Sequence, residues 1–205
     1  MKRGFTLIEM LIVVTIIAVL TMAGIHTFKG ATAKADDARC QELVHNAATA
    51  LSVLFQQEKR WPAEILNNPG HGLFDATTVK GAFIRKSGDT YKSKYFSLNC
   101  NEKTGEPAGY DALGIVSPWA SAVIKRVSVG GTATDSKNVP SGGTIRDHII
   151  RFAVDDDEDG IVSVNYEGTG VLNIRATSAA WCCGRDGQFG TKDDIRSWAK
   201  GQVVR

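Results

Sequence analysis

The hydrophobic pattern changes once along the first 61 residues of the chain. Residues 5–25 are apolar on all sides and contain no basic residue and one acidic residue, Glu9. A helix over residues 5–23 would be roughly 28 Å long, which is about the thickness of the hydrocarbon core of a membrane. The segment before it, residues 1–4, is short and basic, and by the positive-inside rule a basic N-terminal end stays in the cytoplasm. We therefore predict a single membrane-spanning helix with the bulk of the chain on the far side.

An amphipathic pattern follows over residues 26–61. Apolar side chains recur there at steps of three and four residues, namely Leu43, Val44, Ala47, Ala50, Leu51, Leu54 and Phe55. This spacing is typical of a helix with one buried face, and Trp61-Pro62 would end it because proline disfavours a helical residue before it. We predict one continuous helix of roughly 55 residues. Gly24 and Gly30 are the expected place for a bend, since each weakens a helix by about 1 kcal/mol relative to alanine.

The remainder of the chain predicts a sheet. Residues 62–144 form a variable region with several turn signals, and the Gly-, Ser- and Thr-rich stretch over residues 130–143 is typical of a surface loop. Residues 145–205 alternate more regularly. Strands are predicted over residues 145–154, 161–164, 171–176 and 195–198. An antiparallel sheet packed on the helix stripe gives an α+β fold, with residues 26–205 as one globular domain.

The composition argues against some classes of function. The net charge is +2, and no Lys/Arg cluster occurs after the first residues, so nucleic acid is not indicated as a partner. The four histidines are scattered and fit no known nucleophile or zinc motif, so an enzyme is not predicted. The four cysteines, which suit an oxidising compartment, are Cys40, Cys100, Cys182 and Cys183. Three connectivities are open, as are free thiols, although a bond between the two adjacent cysteines would strain the backbone.

Glu9 is the unusual residue of the apolar run. An unpaired acid costs on the order of 2.5 to 3.5 kcal/mol inside a membrane, so we expect Glu9 to have a partner. Cleavage between Gly4 and Phe5 would create an α-amino group on Phe5. That amine could meet Glu9 of a neighbouring copy and thereby drive assembly.

The residues Gly4-Phe5-Thr6-Leu7-Ile8-Glu9, with the basic leader before them and an apolar run after them, resemble the class III signal of type IV pilins and type II secretion pseudopilins. The resemblance implies cleavage after Gly4 by the prepilin peptidase and N-methylation of Phe5. It also implies a single-pass inner-membrane protein with a periplasmic domain. An assembly platform in that membrane would add the chain to a filament, in which the apolar helix packs against identical copies and other pilins or pseudopilins. An ordinary secretory signal cut after Ala23 and a plain membrane anchor are the alternatives, but neither gives Glu9 a role.

Two acidic loops are candidate calcium sites. In the first, Asp155, Asp157 and Asp159 precede Gly160 at an alternating spacing that can turn three oxygens onto one cation. The stretch resembles the start of an EF-hand loop. However, Tyr166 stands where the loop's glutamate is expected, Glu167 comes one residue late, and a solvated hairpin turn is the alternative.

The second acidic loop covers residues 184–195 and holds Asp186, Asp193 and Asp194. Its carboxylates repel one another unless a cation or backbone amides collect their oxygens. The stretch resembles the C-terminal calcium loop of the major type II pseudopilin, which implies a structural calcium. On this loop we predict a pseudopilus subunit that supports protein export. The alternative is a type IV pilus subunit for adhesion, motility or uptake, favoured if Cys100 and Cys182 or Cys183 close a C-terminal disulfide loop. A monomeric membrane-tethered binding module is a third class.

Overall fold

The computed structural model describes residues 6–67, 72–120, 145–166 and 170–204. The chain divides into two compact units, Met1–Ala38 and Arg39–Arg205. The leader at residues 1–4, the loop at residues 130–143 and the late Glu167 all lie outside the described residues.

One helix, α1, covers Leu7–Glu58 and contains 52 residues. It joins the predicted apolar helix to the predicted amphipathic one, and the helical conformation is not interrupted at Gly24 or Gly30. The helix does not unwind at these glycines, since about 1 kcal/mol per glycine is a small penalty in a long cooperative helix, and the bend stays a prediction. No helix among the described residues is long and apolar enough to cross a membrane.

Within the second unit, α1 buries one face. Its buried side chains are Cys40, Val44, Ala47, Ala48, Ala50, Leu51 and Leu54. Leu43 and Phe55 pack against the edge of the same cluster. The predicted apolar stripe is confirmed, and its alanines let the rest of the unit approach the helix closely.

Trp61 fixes the point where α1 ends. Lys59 has a left-handed φ of 54°, which turns the chain out of the helix. The ring of Trp61 then stacks on Phe55 with 4.8 Å between centroids. Its indole N–H donates to the carbonyl oxygen of Asp155 at 2.7 Å. The end of the helix is therefore tied to the first acidic loop.

Short elements fill the first part of the variable region. They are α2 (Ala63–Leu66), β1 (Gly72–Leu73), α3 (Ala76–Phe83), β2 (Ile84–Ser87) and β3 (Thr90–Ser93). Asp75 begins α3 by accepting a hydrogen bond from the backbone N–H of Thr78 at 2.9 Å, which is an N-cap. The 3-10 turns Gly109–Leu113 and Pro118–Ala120 follow.

The C-terminal third forms most of the sheet structure. After a 3-10 turn at Ile145–His148 come β4 (Arg151–Val154), β5 (Ile161–Tyr166), β6 (Gly170–Arg175), β7 (Ser178–Cys182), β8 (Ile195–Arg196) and β9 (Val203–Val204). Among the described residues these strands give antiparallel sheets of order β1-β4-β7-β8 and β5-β6-β9, and β2 pairs with β3. The fold is α+β, with a helix packed against an antiparallel sheet.

Strand β7, like the short β9, is an element that the sequence pattern did not predict. All five of its residues are buried, so it shows no alternation of apolar and polar positions. Its two alanines are also poor strand formers. The strand occupies the centre of the sheet, and its Ser178 hydroxyl donates to the carbonyl oxygen of Ala48 on α1 at 2.8 Å. This missed strand therefore connects the sheet to the helix.

Candidate functional site

The start of α1 places Thr6 and Glu9 in mutual contact. The backbone N–H and the hydroxyl of Thr6 both donate to Oε2 of Glu9, each at 2.9 Å. The backbone N–H of Glu9 in turn donates to the Thr6 hydroxyl at 3.4 Å. This reciprocal arrangement is a capping box, which satisfies donors that the first turn of a helix leaves open. The Thr-x-x-Glu spacing could have revealed it from the sequence. Gly4 and Phe5 lie outside the described residues.

The first turns of α1 present an apolar surface on every side. Its exposed large side chains are Leu7, Ile8, Met10, Leu11, Ile12, Val13, Val14, Ile16, Ile17, Val19, Leu20 and Met22. The hydroxyls of Thr15 and Thr21 donate to carbonyl oxygens four residues earlier, each at 2.7 Å. Glu9 is the one charged side chain over residues 7–22, so this surface suits contact with lipid or with other apolar helices.

The first acidic loop joins β4 to β5 and brings its three predicted carboxylates together. Ligand oxygens of Asp155, Asp157 and Asp159 all lie within 4.8 Å of one another. Asp155 is 6% exposed, and its carboxylate accepts hydrogen bonds from the backbone N–H groups of Asp159 at 3.1 Å and Gly160 at 2.9 Å. Burial, and then the neighbouring acids, raise the pKa of Asp155. The cluster is thus negatively charged, partly open and compact enough to hold one cation.

The second acidic loop follows β7 and uses its carboxylates differently. The backbone N–H groups of Gly190 and Thr191 donate to Oδ2 of Asp194 at 2.7 and 3.1 Å. Asp193 accepts from the backbone N–H of Asp186 at 3.2 Å and from the Thr191 hydroxyl at 2.5 Å. Hydrogen bonds from the loop therefore collect these oxygens, which is one of the two outcomes left open by the sequence.

Asp186, Asp193 and Asp194 do not form a ligand cluster of the kind found in the first loop, which is the one such group among the residues that the structure describes. Gly184 keeps the loop closed, because a Cβ at this position would lie 2.2 Å from the Asp193 carboxylate. Calcium stays a prediction for both loops, and the geometry favours the first.

The cysteines separate into two environments in the core and one near the surface. The sulfur of Cys40 on α1 lies 2.6 Å from that of Cys182 on β7. Cys183 instead donates to the carbonyl oxygen of Asp147 at 2.8 Å. Cys100 is partly exposed, with its sulfur 3.7 Å from the carbonyl oxygen of Tyr91. The structure therefore juxtaposes Cys40 with Cys182, and all four cysteines are free thiols in it.

His148 is a buried polar residue that the sequence pattern did not single out. Its Nδ1 lies 3.3 Å from the Ser117 hydroxyl and 3.7 Å from the Cys183 sulfur. Its Nε2 is buried and has no hydrogen-bond partner among the described residues. Burial lowers the pKa of His148, while Asp147 opposes that change. The same burial raises the pKa of Cys183 to about 12, so thiol and imidazole are both neutral.

Comparison with known proteins gives one motif match and several distant relatives. The profile of the prokaryotic N-terminal methylation motif matches residues 1–25. A fimbrial protein of Neisseria meningitidis serogroup B is 24% identical over 167 residues, which cover 72% of this chain and 95% of that protein. The chain is thus similar to type IV pilins, and it carries the methylation motif at its start. It also resembles the type IV major pilin protein PilE of Neisseria gonorrhoeae, with 24% identity over 86 residues, 42% of this chain and 50% of that pilin.

The matched relatives are named as fimbrial proteins and pilins. A second meningococcal fimbrial protein, from serogroup A, is 27% identical over 85 residues, or 42% of this chain and 48% of that protein. The pilin-like precursor is therefore supported, whereas the predicted pseudopilus is not confirmed and the alternative pilus reading is favoured. No solved structure matches the chain.

Proposed function

We propose that this pilin-like protein is a structural subunit of a type IV pilus. The prepilin peptidase would cut it after Gly4, Phe5 would be N-methylated, and an assembly platform in the inner membrane would add it to a filament of pilins. The methylation motif at residues 1–25 and the similarity to fimbrial proteins support this proposal. The globular unit, Arg39–Arg205, would lie in the periplasm before assembly and on the filament surface afterwards.

The observation that carries the proposal is the uncovered apolar surface at the start of α1. The large apolar side chains between Leu7 and Met22 are 45% to 85% exposed, with Val13 the least exposed and Leu7 the most. Apolar surface of this extent is unfavourable in water by about 25 cal/mol per Å². Lipid would cover it in the precursor, and helices of identical copies would cover it in a filament.

Glu9 is the residue proposed to select the neighbouring subunit. Both of its hydrogen bonds from Thr6 end on the same oxygen, Oε2. A carboxylate has two oxygens and about four acceptor positions, so Oε1 keeps the capacity to accept a bond from an ammonium group. The α-amino group of Phe5 in the next subunit is the proposed donor.

A type II secretion pseudopilus is the second candidate function. It rests on the resemblance of residues 184–195 to the calcium loop of the major pseudopilin. Hydrogen bonds from the loop already engage oxygens of Asp193 and Asp194, so a cation is not needed to collect them. This weakens the argument for a pseudopilin.

Imaging of the native host separates these functions. We expect sheared surface fibres that contain the chain, processed to begin at Phe5, and we expect them to disappear when its gene is deleted while protein secretion continues. Loss of secretion without any surface fibre would instead favour the pseudopilus. A mature chain that begins at another residue would contradict both.

A further inference from the structure

Two cysteine sulfurs meet where α1 contacts the central sheet. Cys40 lies on the helix and Cys182 ends β7, and both residues are 0% exposed. Their sulfur atoms are 2.6 Å apart. A disulfide bond is about 2.05 Å long, so a movement of roughly half an ångström would join them. Both residues belong to the same apolar cluster as the helix stripe, which holds the two backbones in place.

The other two cysteines have different neighbours. Adjacent residues of an extended chain point to opposite sides, and Cys183 accordingly contacts Asp147 and His148 and lies outside the cluster that contains Cys182. Cys100 lies in an isolated bridge with Pro107. The geometry therefore selects Cys182 over its neighbour as the partner of Cys40.

We propose that Cys40 and Cys182 form a disulfide that staples α1 to β7, while Cys100 and Cys183 stay thiols. The proposal rests on export of the globular unit to an oxidising compartment, as the proposed function requires. The two thiols lose two protons and two electrons. A dithiol-disulfide oxidoreductase accepts them, and its own disulfide is reduced to two thiols through a mixed-disulfide intermediate.

The exchange has to occur during folding. In the folded protein, the contact with Cys40 and burial raise the pKa of Cys182, so the reactive thiolate is suppressed. The burial of both sulfurs also excludes an oxidant and, later, a reductant. Once formed, the bond would close a loop between residues 142 positions apart and would restrict the unfolded chain strongly.

Thiol counting on the full chain in detergent tests the pairing. The chain is refolded in a glutathione redox buffer, unfolded, labelled with N-ethylmaleimide and digested with trypsin. We expect two labelled cysteines and a cross-link between the fragments 40–59 and 176–185. Cys182 and Cys183 share the second fragment, so variants assign the bond. Cys183→Ala should keep the cross-link and Cys182→Ala should abolish it. Four labelled cysteines, or a cross-link that survives Cys182→Ala, would overturn the proposal.

Thermal unfolding provides a second measurement. Wild-type chain that is unfolded, reduced and refolded in reductant should have a Tm about 5 to 15 °C below that of the oxidised chain. The same loss is expected for Cys183→Ala, and no loss for Cys40→Ala or Cys182→Ala. Equal sensitivity to reductant in all four proteins would contradict the staple. Because refolding is done in vitro, these outcomes do not depend on where the cell places the protein. Free thiols in host-purified chain, together with the cross-link in vitro, would support the pair and contradict the proposed export.

Discussion

Asp155 has a different task from the two other acids of its loop. Its buried carboxylate accepts hydrogen bonds from the backbone N–H groups of Asp159 and Gly160 and so shapes the turn. The side chains of Asp157 and Asp159 are exposed. Gathering three like charges is unfavourable without a counter-ion. Burial is the main cause of the raised pKa of Asp155, and the neighbouring Asp157 and Asp159 raise it further. A divalent cation would remove the repulsion.

Calcium is therefore expected to raise the Tm of the chain through this loop. With an affinity on the order of 1 mM, about 10 mM calcium would stabilise the fold by roughly 1.4 kcal/mol, or a few degrees in Tm. Asp157→Asn should abolish the shift, while Asp194→Asn in the second loop should leave it unchanged. Calorimetry with and without a chelator measures both. Loss of the shift in the Asp194 variant alone would return the site to the pseudopilin-like loop.

His148 is expected to make the fold sensitive to mild acid. Its folded pKa is lowered by burial, whereas in the unfolded chain it binds a proton near pH 6.5. The unfolded state then binds more protons, so stability falls as the pH drops below about 6.5, by at most about 1.4 kcal/mol per pH unit. Tm between pH 7.5 and 5.5 measures this slope.

Two glutamine variants identify the responsible histidine. His148→Gln should flatten the pH slope, whatever its effect on the Tm at neutral pH. His45→Gln is the matched control, because His45 is exposed on α1, and it should keep the slope of the wild type. An unchanged slope in the His148 variant would show that another group titrates.

The sequence predicts which acids could cluster, but it does not predict what binds their oxygens. The alternating spacing of Asp155, Asp157 and Asp159 before Gly160 predicts a tight turn, and the structure brings their oxygens together. Whether the oxygens of Asp193 and Asp194 bind a cation or backbone amides depends on where groups such as the N–H of Gly190 and Thr191 point. Their direction is a property of the folded loop. Composition could not distinguish the two cases.

At the scale of elements, the helix stripe was predictable and its partner strand was not. A period of three to four residues identifies the buried face of α1 regardless of what covers it. Strand β7 is covered on both faces, so neither alternation nor turn signals distinguish it. The helix and strand meet through small residues such as Ala48 and Ser178, which carry little hydrophobic signal.

Truncation of Leu54 is expected to weaken the contact between helix and sheet. This side chain is fully buried, so Leu54→Ala should cost about 2 to 5 kcal/mol through lost burial and a cavity. Leu66→Ala provides the control, because Leu66 in α2 is 42% exposed and its truncation should cost under about 1 kcal/mol. Urea unfolding of the two variants compares them directly. Similar losses at both positions would mean that α1 is not the main support of the core.

For the whole molecule, Glu9 has two separable roles. In a single subunit its carboxylate completes a capping box with Thr6. In the proposed filament its charge pairs with the amine of the next subunit. The capping box weakens the view that an acid in the apolar run requires a partner in another copy. Glutamine can also complete a capping box but carries no charge, so the two roles respond differently to substitution.

Glu9→Gln is accordingly expected to abolish filaments while the helix start and the stability of the globular unit are kept. Thr6→Ala removes the hydroxyl of the cap and leaves the charge, so its filaments should persist at a level near that of the wild type. The measurement is the amount of chain in the sheared surface fraction of the host, normalised to the amount in the membrane. A loss of filaments of at least tenfold in Glu9→Gln, but not in Thr6→Ala, supports pairing between subunits. One ion pair worth about 1.4 kcal/mol already gives a factor of ten, and the contact repeats along the filament. If Thr6→Ala loses filaments while Glu9→Gln retains them, Glu9 acts only as a helix cap. The apolar surface alone would then have to direct assembly.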